Sequence, residues 1–248
     1  MTHFWTHQDF IPEGYGFGQF SLVHMLLMLI SLISIILIIR LYIKSDNHDR
    51  LVIRRVIAVV LLVSEVCKMT VMSVTGAKVS NNLPLEICSF AEYTIVLDAF
   101  LKEKKILSQM LLYLFLPAAM MALVFPTTSI LPVLNFYSIH QFVFHTLIIA
   151  YALMRFAAKE IKLNYLSVWK SVLIISIIAS FVYAIDYVFD RNFMFLMGTY
   201  DNFMLDIIWN VMGGGIMYDL GLVIFSIIVI HIFYFIFVLI NKFILKNA

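Results

Sequence analysis

Charge is scarce in this sequence. Only 13% of its 248 residues are Asp, Glu, Lys or Arg, whereas 63% are hydrophobic. Soluble domains carry about 25% charged residues and about 45–50% apolar ones. A chain of this length could not bury so much apolar surface in one water-soluble core. The composition therefore excludes a soluble globular protein and indicates a membrane protein.

Several motifs and patterns are also missing. The net charge is only +2 and the basic residues form no single cluster, which excludes the electrostatic footprint of a nucleic-acid-binding protein. The two cysteines, Cys67 and Cys88, provide no disulfide framework. No P-loop, HExxH or CxxC pattern occurs, so we expect neither a metal nor another cofactor. The first 16 residues contain no Lys or Arg and no cleavage site of small residues, unlike a signal peptide.

Long apolar windows are what the sequence has instead. A transmembrane helix needs about 20 mostly apolar residues. Seven windows meet or approach that length: 20–43, 56–73, 85–101, 106–125, 139–156, 171–189 and 220–245. The third is the weakest, because Glu86, Glu92 and Asp98 interrupt it. No linker or change of composition divides the chain, so we predict an all-α fold in which residues 1–248 form one seven-helix transmembrane domain.

The basic residues predict the orientation of these spans, because Lys and Arg collect in cytoplasmic loops close to the membrane. Fourteen of the 17 basic residues fall on one side of the seven-span arrangement. They are Arg40, Lys44, Arg50, Arg54, Arg55, Lys102, Lys104, Lys105, Arg155, Lys159, Lys162, Lys170, Lys242 and Lys246. Only Lys78 and Arg191 fall on the other side, while Lys68 lies within a span. The bias predicts an outside N-terminus and a cytoplasmic C-terminus, in a multi-pass protein of the cell (plasma) membrane.

Two local features add predictions about shape. Pro117 removes a backbone donor inside the fourth span, where we expect a kink. The connection 190–219 is unusually apolar for a loop and includes Trp209. Such a segment is typical of chain that lies in the outer membrane interface or folds back over the bundle.

Polar and ionisable side chains within the spans share one depth. A charged side chain at the bilayer centre costs about 2.5–3.5 kcal/mol on insertion scales, so such residues usually face a cavity or a partner. The residues predicted to lie in the outer half or at the midplane are His24, Glu65, Lys68, Cys88, Glu92, His145 and Asp186. We infer a polar chamber that opens toward the outer leaflet or the exterior.

Each of these residues also has a structural interpretation. Glu65 and Lys68, three apart on one helix face, would form an internal ion pair that helps to select the helix packing. His24 and His145 would be histidines held in the bundle by hydrogen bonds, and Cys88 a small apolar core residue. The shared depth favours a functional site, since structural polar residues would be spread through both leaflets.

Three short stretches resemble a known family. Residues 83–89, Leu-Pro-Leu-Glu-Ile-Cys-Ser, resemble the LPLHLCS segment of the bacterial YwaF-like integral membrane proteins. Residues 192–196, Asn-Phe-Met-Phe-Leu, resemble that family's NYMFL, and 205–218 resemble its LD…G…Y stretch before the last helix. The motifs occur in the family's order over most of the chain. One position departs from the pattern, because Glu86 stands where the family usually has His.

The resemblance implies an activity. The YwaF-like proteins are similar to a vertebrate multi-pass acyltransferase that remodels ether phospholipids through a cysteine and a histidine. Carried over, Cys88 is the nucleophile and His145 the general base of an acyltransferase or lipid hydrolase whose substrate is a membrane phospholipid. A thioester intermediate would split acyl transfer into two easier steps. Lys68 or His24 would stabilise the negative charge that develops.

A different function fits the same residues. In a small-solute transporter, channel or receptor, the chamber is a binding site and Cys88 only packs. Under either function we expect the binding residues to be His24, Glu65, Lys68, Glu92, Asp186 and Asn192. The oligomeric state stays open.

Overall fold

The computed structural model describes residues 3–101, 105–200 and 202–243, apart from the side chain of Asn81. Within these residues the chain is helical and forms no β-strand. Three basic residues that contribute to the predicted charge bias, Lys102, Lys104 and Lys246, lie outside the described residues. The last two positions of the predicted seventh span, 244 and 245, do so as well.

The helices of the described chain follow one another through short connections. They are α1 (Leu22–Lys44), α2 (Asn47–Thr75), α3 (Ile87–Phe100), α4 (Lys105–Met110), α5 (Leu116–Val124), α6 (Phe136–Ala157), α7 (Tyr165–Phe189), α8 (Phe203–Met212) and α9 (Ile216–Phe243). A π-helical turn, Leu111–Phe115, joins α4 directly to α5.

Among the described residues, six stretches are long and apolar enough to cross a membrane. They are α1, α2, the run Lys105–Ile130 that contains α4 and α5, α6, α7 and α9. The predicted third span is the exception, because α3 has only 14 residues. At 1.5 Å per residue it is about 21 Å long, whereas the hydrocarbon core of a bilayer measures about 30 Å.

Polar caps explain where several helices begin. The side chains of Ser21, Asp46, Asn135 and Asn164 each accept a hydrogen bond from a backbone N–H in the first turn that follows. The Asp46 cap starts α2 nine residues before the predicted span, which began at 56. The basic residues that hydropathy assigned to a loop therefore lie on the first turns of this helix.

The disturbance expected at Pro117 takes the form of the π turn. Leu116 donates its N–H to the carbonyl of Leu111, five residues earlier, so the helix is wider just before the proline. Proline has no N–H to donate and its ring crowds the preceding turn. A π turn is one of the established ways in which a helix accommodates such a break.

The buried and lipid-facing helices are clearly distinct. In α6 and in the run Lys105–Ile130, 61% of the most apolar stretch is buried, against 17% in α1 and α7 and 11% in α9. The central helix α6 packs against α1, α2, α3 and α5. Since lipid is as apolar as these side chains, the exposed Leu, Ile and Phe residues of α1, α7 and α9 suit a bilayer.

The segment before α1 lies on one side of the bundle, which we call the N-side; the opposite side is the C-side. The backbone N–H groups of Phe17 and Gly18 donate to the carbonyls of Leu131 and Ser129, each at 3.1 Å. Gly16 permits this contact, because a Cβ built on it would lie 2.5 Å from the Ser129 carbonyl oxygen. The N-terminal segment thus covers the N-side ends of α5 and α6.

The apolar connection after α7 also folds onto the N-side of the bundle. Phe193 N–H donates to Asp186 Oδ1 at 3.0 Å, and Met194 N–H donates to Glu86 Oε2 at 2.9 Å. Tyr218 Oη donates to the Phe195 carbonyl at 3.1 Å. Carboxylates before α3 and on α7, together with a hydroxyl on α9, therefore hold this segment in place. Of the two arrangements that the sequence suggested, the segment adopts the one in which it folds back over the bundle.

Candidate functional site

An ion pair inside α2 forms one wall of the candidate site. Lys68 Nζ lies 2.7 Å from Glu65 Oε1, and the two residues are three apart on one helix face. His140 of α6 approaches the same carboxylate, with 3.8 Å between its Nε2 and Glu65 Oε2. The two side chains therefore form the internal ion pair that their spacing in the sequence predicted. A third titratable side chain, which the sequence did not single out, joins them.

Glu92 on α3 is the most unusual residue of the site. It is completely buried, and neither carboxylate oxygen has a hydrogen-bond partner among the described residues. Glu65 and Lys68 are the charged groups that act on it electrostatically. Buried side-chain oxygens are nearly always hydrogen-bonded in folded proteins, and each exception requires an explanation. Glu92 therefore has two acceptor oxygens that no donor reaches within the described part of the chain.

Lys68 connects these residues to the rest of the predicted chamber. Besides Glu65 and Glu92, it acts electrostatically on Glu86, His140 and His145. We define the N-side cluster as Glu65, Lys68, Glu86, Cys88, Glu92, His140, His145 and Asp186. Of the predicted residues, it brings together Glu65, Lys68 and Glu92, and it places His145 within range of the same ammonium. Three carboxylates thus share the field of one lysine.

The predicted nucleophile and base both lie in this part of the bundle. Cys88 is the second residue of α3 and is half-buried, and Glu86 acts on it electrostatically. His145 Nδ1 lies 2.7 Å from the Gln141 carbonyl. A carbonyl can only accept, so Nδ1 carries the proton and Nε2 is the basic nitrogen. The described residues contain no hydrogen bond between Cys88 and His145, and their pairing stays a prediction.

Three of the predicted site residues form hydrogen bonds with backbone groups: Asp186, His24 and Asn192. Asp186 is fully buried; its Oδ1 accepts from Phe193 N–H, while its Oδ2 has no partner among the described residues. His24 Nδ1 accepts from Phe20 N–H and its Nε2 donates to the Leu123 carbonyl, both at 2.9 Å. That bond ties α1 to α5 and occupies both ring nitrogens.

Asn192 stabilises the turn that follows it by hydrogen bonds to the backbone of residues 197 and 198. Its Nδ2 donates to the Gly198 carbonyl at 3.0 Å and its Oδ1 accepts from Met197 N–H at 2.7 Å. The binding roles that the sequence suggested for His24 and Asn192 stay predictions, since each side chain already holds backbone groups in place.

A second group of buried charges lies on the C-side, and sequence reasoning missed it. Arg155 Nη1 of α6 is 2.6 Å from both carboxylate oxygens of Asp98 on α3. Tyr151 Oη donates to Asp98 Oδ2 at 2.6 Å, and the Arg54 guanidinium donates to the Asp98 backbone carbonyl. Asp98 and Arg155 are each only 1% exposed. The carboxylate is therefore fully buried and fully paired.

Glu160 extends this C-side network to α1. Its carboxylate accepts from Arg155 Nε at 3.0 Å and from Tyr42 Oη at 2.8 Å, and Arg50 Nη1 is 3.6 Å away. The network joins α1, α2, α3, α6 and the chain after α6. In the sequence these arginines count among the basic residues that predict the orientation, and Asp98 is one of the charges that interrupt the third span. A usable signal was present, because Asp98 and Arg155 each stand near the C-side end of their helix, α3 and α6.

Two surface cavities lie elsewhere. One of about 360 Å³ lies beneath the N-terminal segment and is lined by residues that include Pro12, Gly16 and Ile130. Another of about 300 Å³ is lined by Asp190, Arg191, Asn192, Met197 and Tyr200. Neither is lined by residues of the N-side cluster, so we identify the candidate site by its buried polar chemistry and not by cavity size.

These features define a multi-pass helical membrane protein with a fully paired ionic network on one side and an incompletely paired polar cluster on the other. Residues 18–244 match the TMEM164 family, and the chain belongs to that family. No curated protein and no solved structure matches it. The match does not test the finer resemblance to the YwaF-like proteins, and through them to an acyltransferase, which stays a hypothesis.

Proposed function

We propose that the N-side cluster is the functional site and that it transfers or hydrolyses the acyl group of a membrane phospholipid, with Cys88 as nucleophile and His145 as base. One observation carries the proposal: a thiol and a histidine with a free basic nitrogen belong to a buried polar cluster whose hydrogen bonding is incomplete. Purely structural polar residues would be paired. The resemblance stated above supplies the reaction type.

The first half of the reaction follows from the chemistry of these groups. The Cys88 thiol gives its proton to His145 Nε2, and the thiolate attacks the ester carbonyl carbon of the phospholipid. A C–S bond forms, the ester C–O bond breaks, and the imidazolium returns the proton to the leaving alkoxide. Cys88 lies in the first turn of α3, where the positive end of the helix dipole and Lys68 would stabilise the negative oxygen.

The proposed topology has seven crossings, with the N-side outside and the C-side in the cytoplasm of a cell whose plasma membrane holds the protein. Although α3 is short, its N-terminal half carries Cys88 and Glu92 of the N-side cluster, and its C-terminal end carries Asp98 of the C-side network. The folded-back segment around Met194 covers its N-side end. Non-helical backbone is tolerated at membrane depth where protein buries it.

Labelling with a membrane-impermeant maleimide in intact cells tests this topology. In a Cys67→Ser, Cys88→Ser background, cysteines introduced at Ser80 or Asn202 should react. Cysteines at Asn47 or Lys162 should react only after permeabilisation. Labelling of the second pair in intact cells would overturn the orientation.

The acyl-transfer proposal is tested with purified protein and a phospholipid that carries a labelled acyl chain. A hydroxylamine-sensitive adduct should form on the wild type. Cys88→Ser should abolish the adduct, whereas the matched Cys67→Ser variant should retain it, because the Cys67 thiol is exposed on α2. His145→Ala should slow adduct formation. A wild type that never acylates would refute the proposal.

The unpaired oxygens of Glu92 favour a second candidate function, binding and movement of a small solute or proton. In that case Lys68 and Glu65 would exchange partners as the solute enters. Proton uptake by proteoliposomes that contain the wild type, compared with Glu65→Gln and Lys68→Met variants, measures this directly. Uptake that the variants do not alter would eliminate the alternative.

A further inference from the structure

The position of Glu92 relative to Cys88 suggests a role in the second half of the reaction. We propose that Glu92 is the general base that activates the acyl acceptor, a hydroxyl group, for attack on the thioester at Cys88. The inference rests on the proposed function. It adds a catalytic residue and a chemical class for the second substrate, namely an O–H nucleophile.

Helix geometry brings the two residues together. Cys88 and Glu92 are four residues apart on α3, so they occupy the same helix face one turn from each other. Side chains at this spacing have Cβ atoms about 5–6 Å apart. Glu92 is completely buried, so its carboxylate is turned into the bundle and not toward lipid. The distance between base and sulfur is therefore set by one helix and does not depend on how α3 packs against α6.

Within the part of the chain that the structure describes, Glu92 is also the carboxylate of the N-side cluster with both oxygens unpaired. Glu65 is paired with Lys68, Glu86 accepts from Met194 N–H, and Asp186 accepts from Phe193 N–H. Within the described residues, no donor reaches either oxygen of Glu92. A hydroxyl placed between this carboxylate and an acyl group on Cys88 would supply the missing donor.

The step balances without any further reactant. The acceptor hydroxyl gives its proton to Glu92 while its oxygen attacks the thioester carbonyl carbon. A C–O bond forms and the C–S bond breaks, so Cys88 leaves as a thiolate. Glu92 then passes the proton to the sulfur, which restores the thiol and the carboxylate. If the hydroxyl belongs to a lysophospholipid the result is acyl transfer, and if it belongs to water the result is hydrolysis.

The test separates formation of the adduct from its loss. Full-length protein is mixed with a phospholipid carrying a labelled acyl chain, and the hydroxylamine-sensitive adduct is followed over time, with and without added lysophospholipid. Glu92→Gln should acylate at the wild-type rate and lose the adduct at least about 100-fold more slowly, in keeping with the usual contribution of a general base. Added lysophospholipid speeds the loss if it is the acceptor, whereas water alone suffices if the reaction is hydrolysis.

Two further measurements exclude a structural explanation. The thermal midpoint of Glu92→Gln should match that of the wild type. Glu92→Asp, which keeps the carboxylate but withdraws it by one methylene, should restore part of the release rate. Release at the wild-type rate by Glu92→Gln, or equal slowing of formation and release, would overturn the inference while leaving the proposed function intact. A wild type that forms no adduct would overturn both.

Discussion

Two groups of buried charges in this bundle differ in how completely they are paired. On the C-side, Asp98 accepts from Arg155 and Tyr151, and Glu160 accepts from Arg155 and Tyr42. On the N-side, Glu92 accepts nothing, and neither His140 Nε2 nor Asp186 Oδ2 has a hydrogen-bond partner among the described residues. Both groups are buried, and both contain acidic and basic side chains.

The difference separates a structural role from a binding role. A buried charge network that is completely hydrogen-bonded fixes the packing of the helices that supply it, and it has no capacity left for a ligand. A buried carboxylate without donors is costly unless something else completes its hydrogen bonding. The C-side network therefore acts as a clamp, that is, it holds the ends of α1, α2, α3 and α6 together. The N-side cluster, in contrast, has unpaired polar atoms with which it could bind a ligand.

The largest expected effect comes from removing one partner of the clamp. Arg155→Met should lower the free energy of unfolding by about 3–5 kcal/mol, because it leaves Asp98 buried and unpaired. The measurement is the thermal midpoint of the purified protein in detergent. The matched control Lys159→Met removes the same charge from an exposed site near Arg155 and should change the free energy by less than about 0.5 kcal/mol.

A double variant sharpens this prediction. Asp98→Leu combined with Arg155→Met removes both buried charges, so it should recover part of the stability lost in the single variant. If Arg155→Met alone were as stable as the wild type, the network would not act as a clamp, and the contrast between the two sides would fail.

An intermediate effect is expected from a fully paired polar residue on the N-side. Asn135 is buried; it caps α6 and its Nδ2 donates to the carbonyls of His3 and Thr6 at 2.7 and 2.9 Å. Asn135→Ala should cost about 2 kcal/mol, since it removes a helix cap and leaves two carbonyls without donors. The exposed cap Asn164 makes the matched control, and Asn164→Ala should cost about 1 kcal/mol.

Asn135 shows whether hydrogen bonding or location determines stability, because it lies on the N-side but is fully hydrogen-bonded. If every N-side polar residue could be removed without loss of stability, location and not hydrogen bonding would separate the two groups. Equal midpoints for the Asn135→Ala variant and the wild type would be that result. Limited proteolysis of the N-terminal segment gives a second readout, because the same substitution should release it.

The smallest effect is expected at Glu92. Glu92→Gln should change the free energy of unfolding by less than about 0.5 kcal/mol or raise it, because no hydrogen bond is lost. Glu65→Gln is the comparison, since it breaks the 2.7 Å pair with Lys68 and should cost about 1.5–3 kcal/mol, the usual contribution of a hydrogen bond to a charged group. A large loss of stability in Glu92→Gln would mean that the carboxylate already has a structural role, contrary to the difference drawn above.

The depth of the polar residues could be predicted because it depends on one dimension only. A helix advances 1.5 Å per residue, so the position of a side chain within its span gives its height in the bundle. That reasoning grouped seven residues, of which Glu65, Lys68 and Glu92 interact in the structure. It did not identify His140, which lies one turn from His145 on α6 and reaches Glu65 across the interface.

The same one-dimensional reasoning failed where a charged side chain was taken to lie outside the bundle because it is charged. Arg54 and Arg155 were counted among the charges that set the cytoplasmic side, although Arg155 lies within the predicted fifth span and is almost fully buried. The boundary of α2 was misplaced for the same reason. An arginine near the end of a span can serve a loop or pair inside the bundle, and hydropathy does not distinguish the two outcomes.

By itself, the sequence determined that this protein is helical and embedded in a membrane, because its apolar excess and lack of charge leave no other way to bury its surface. It also indicated that Glu65, Lys68 and Glu92 lie at similar heights along the bundle. Only the tertiary structure decided which groups at one height face each other, because the rotation and lateral order of helices depend on packing between distant segments. That rotation is the reason Asp98 is paired with Arg155 while Glu92, two turns earlier on the same helix, has no partner among the described residues.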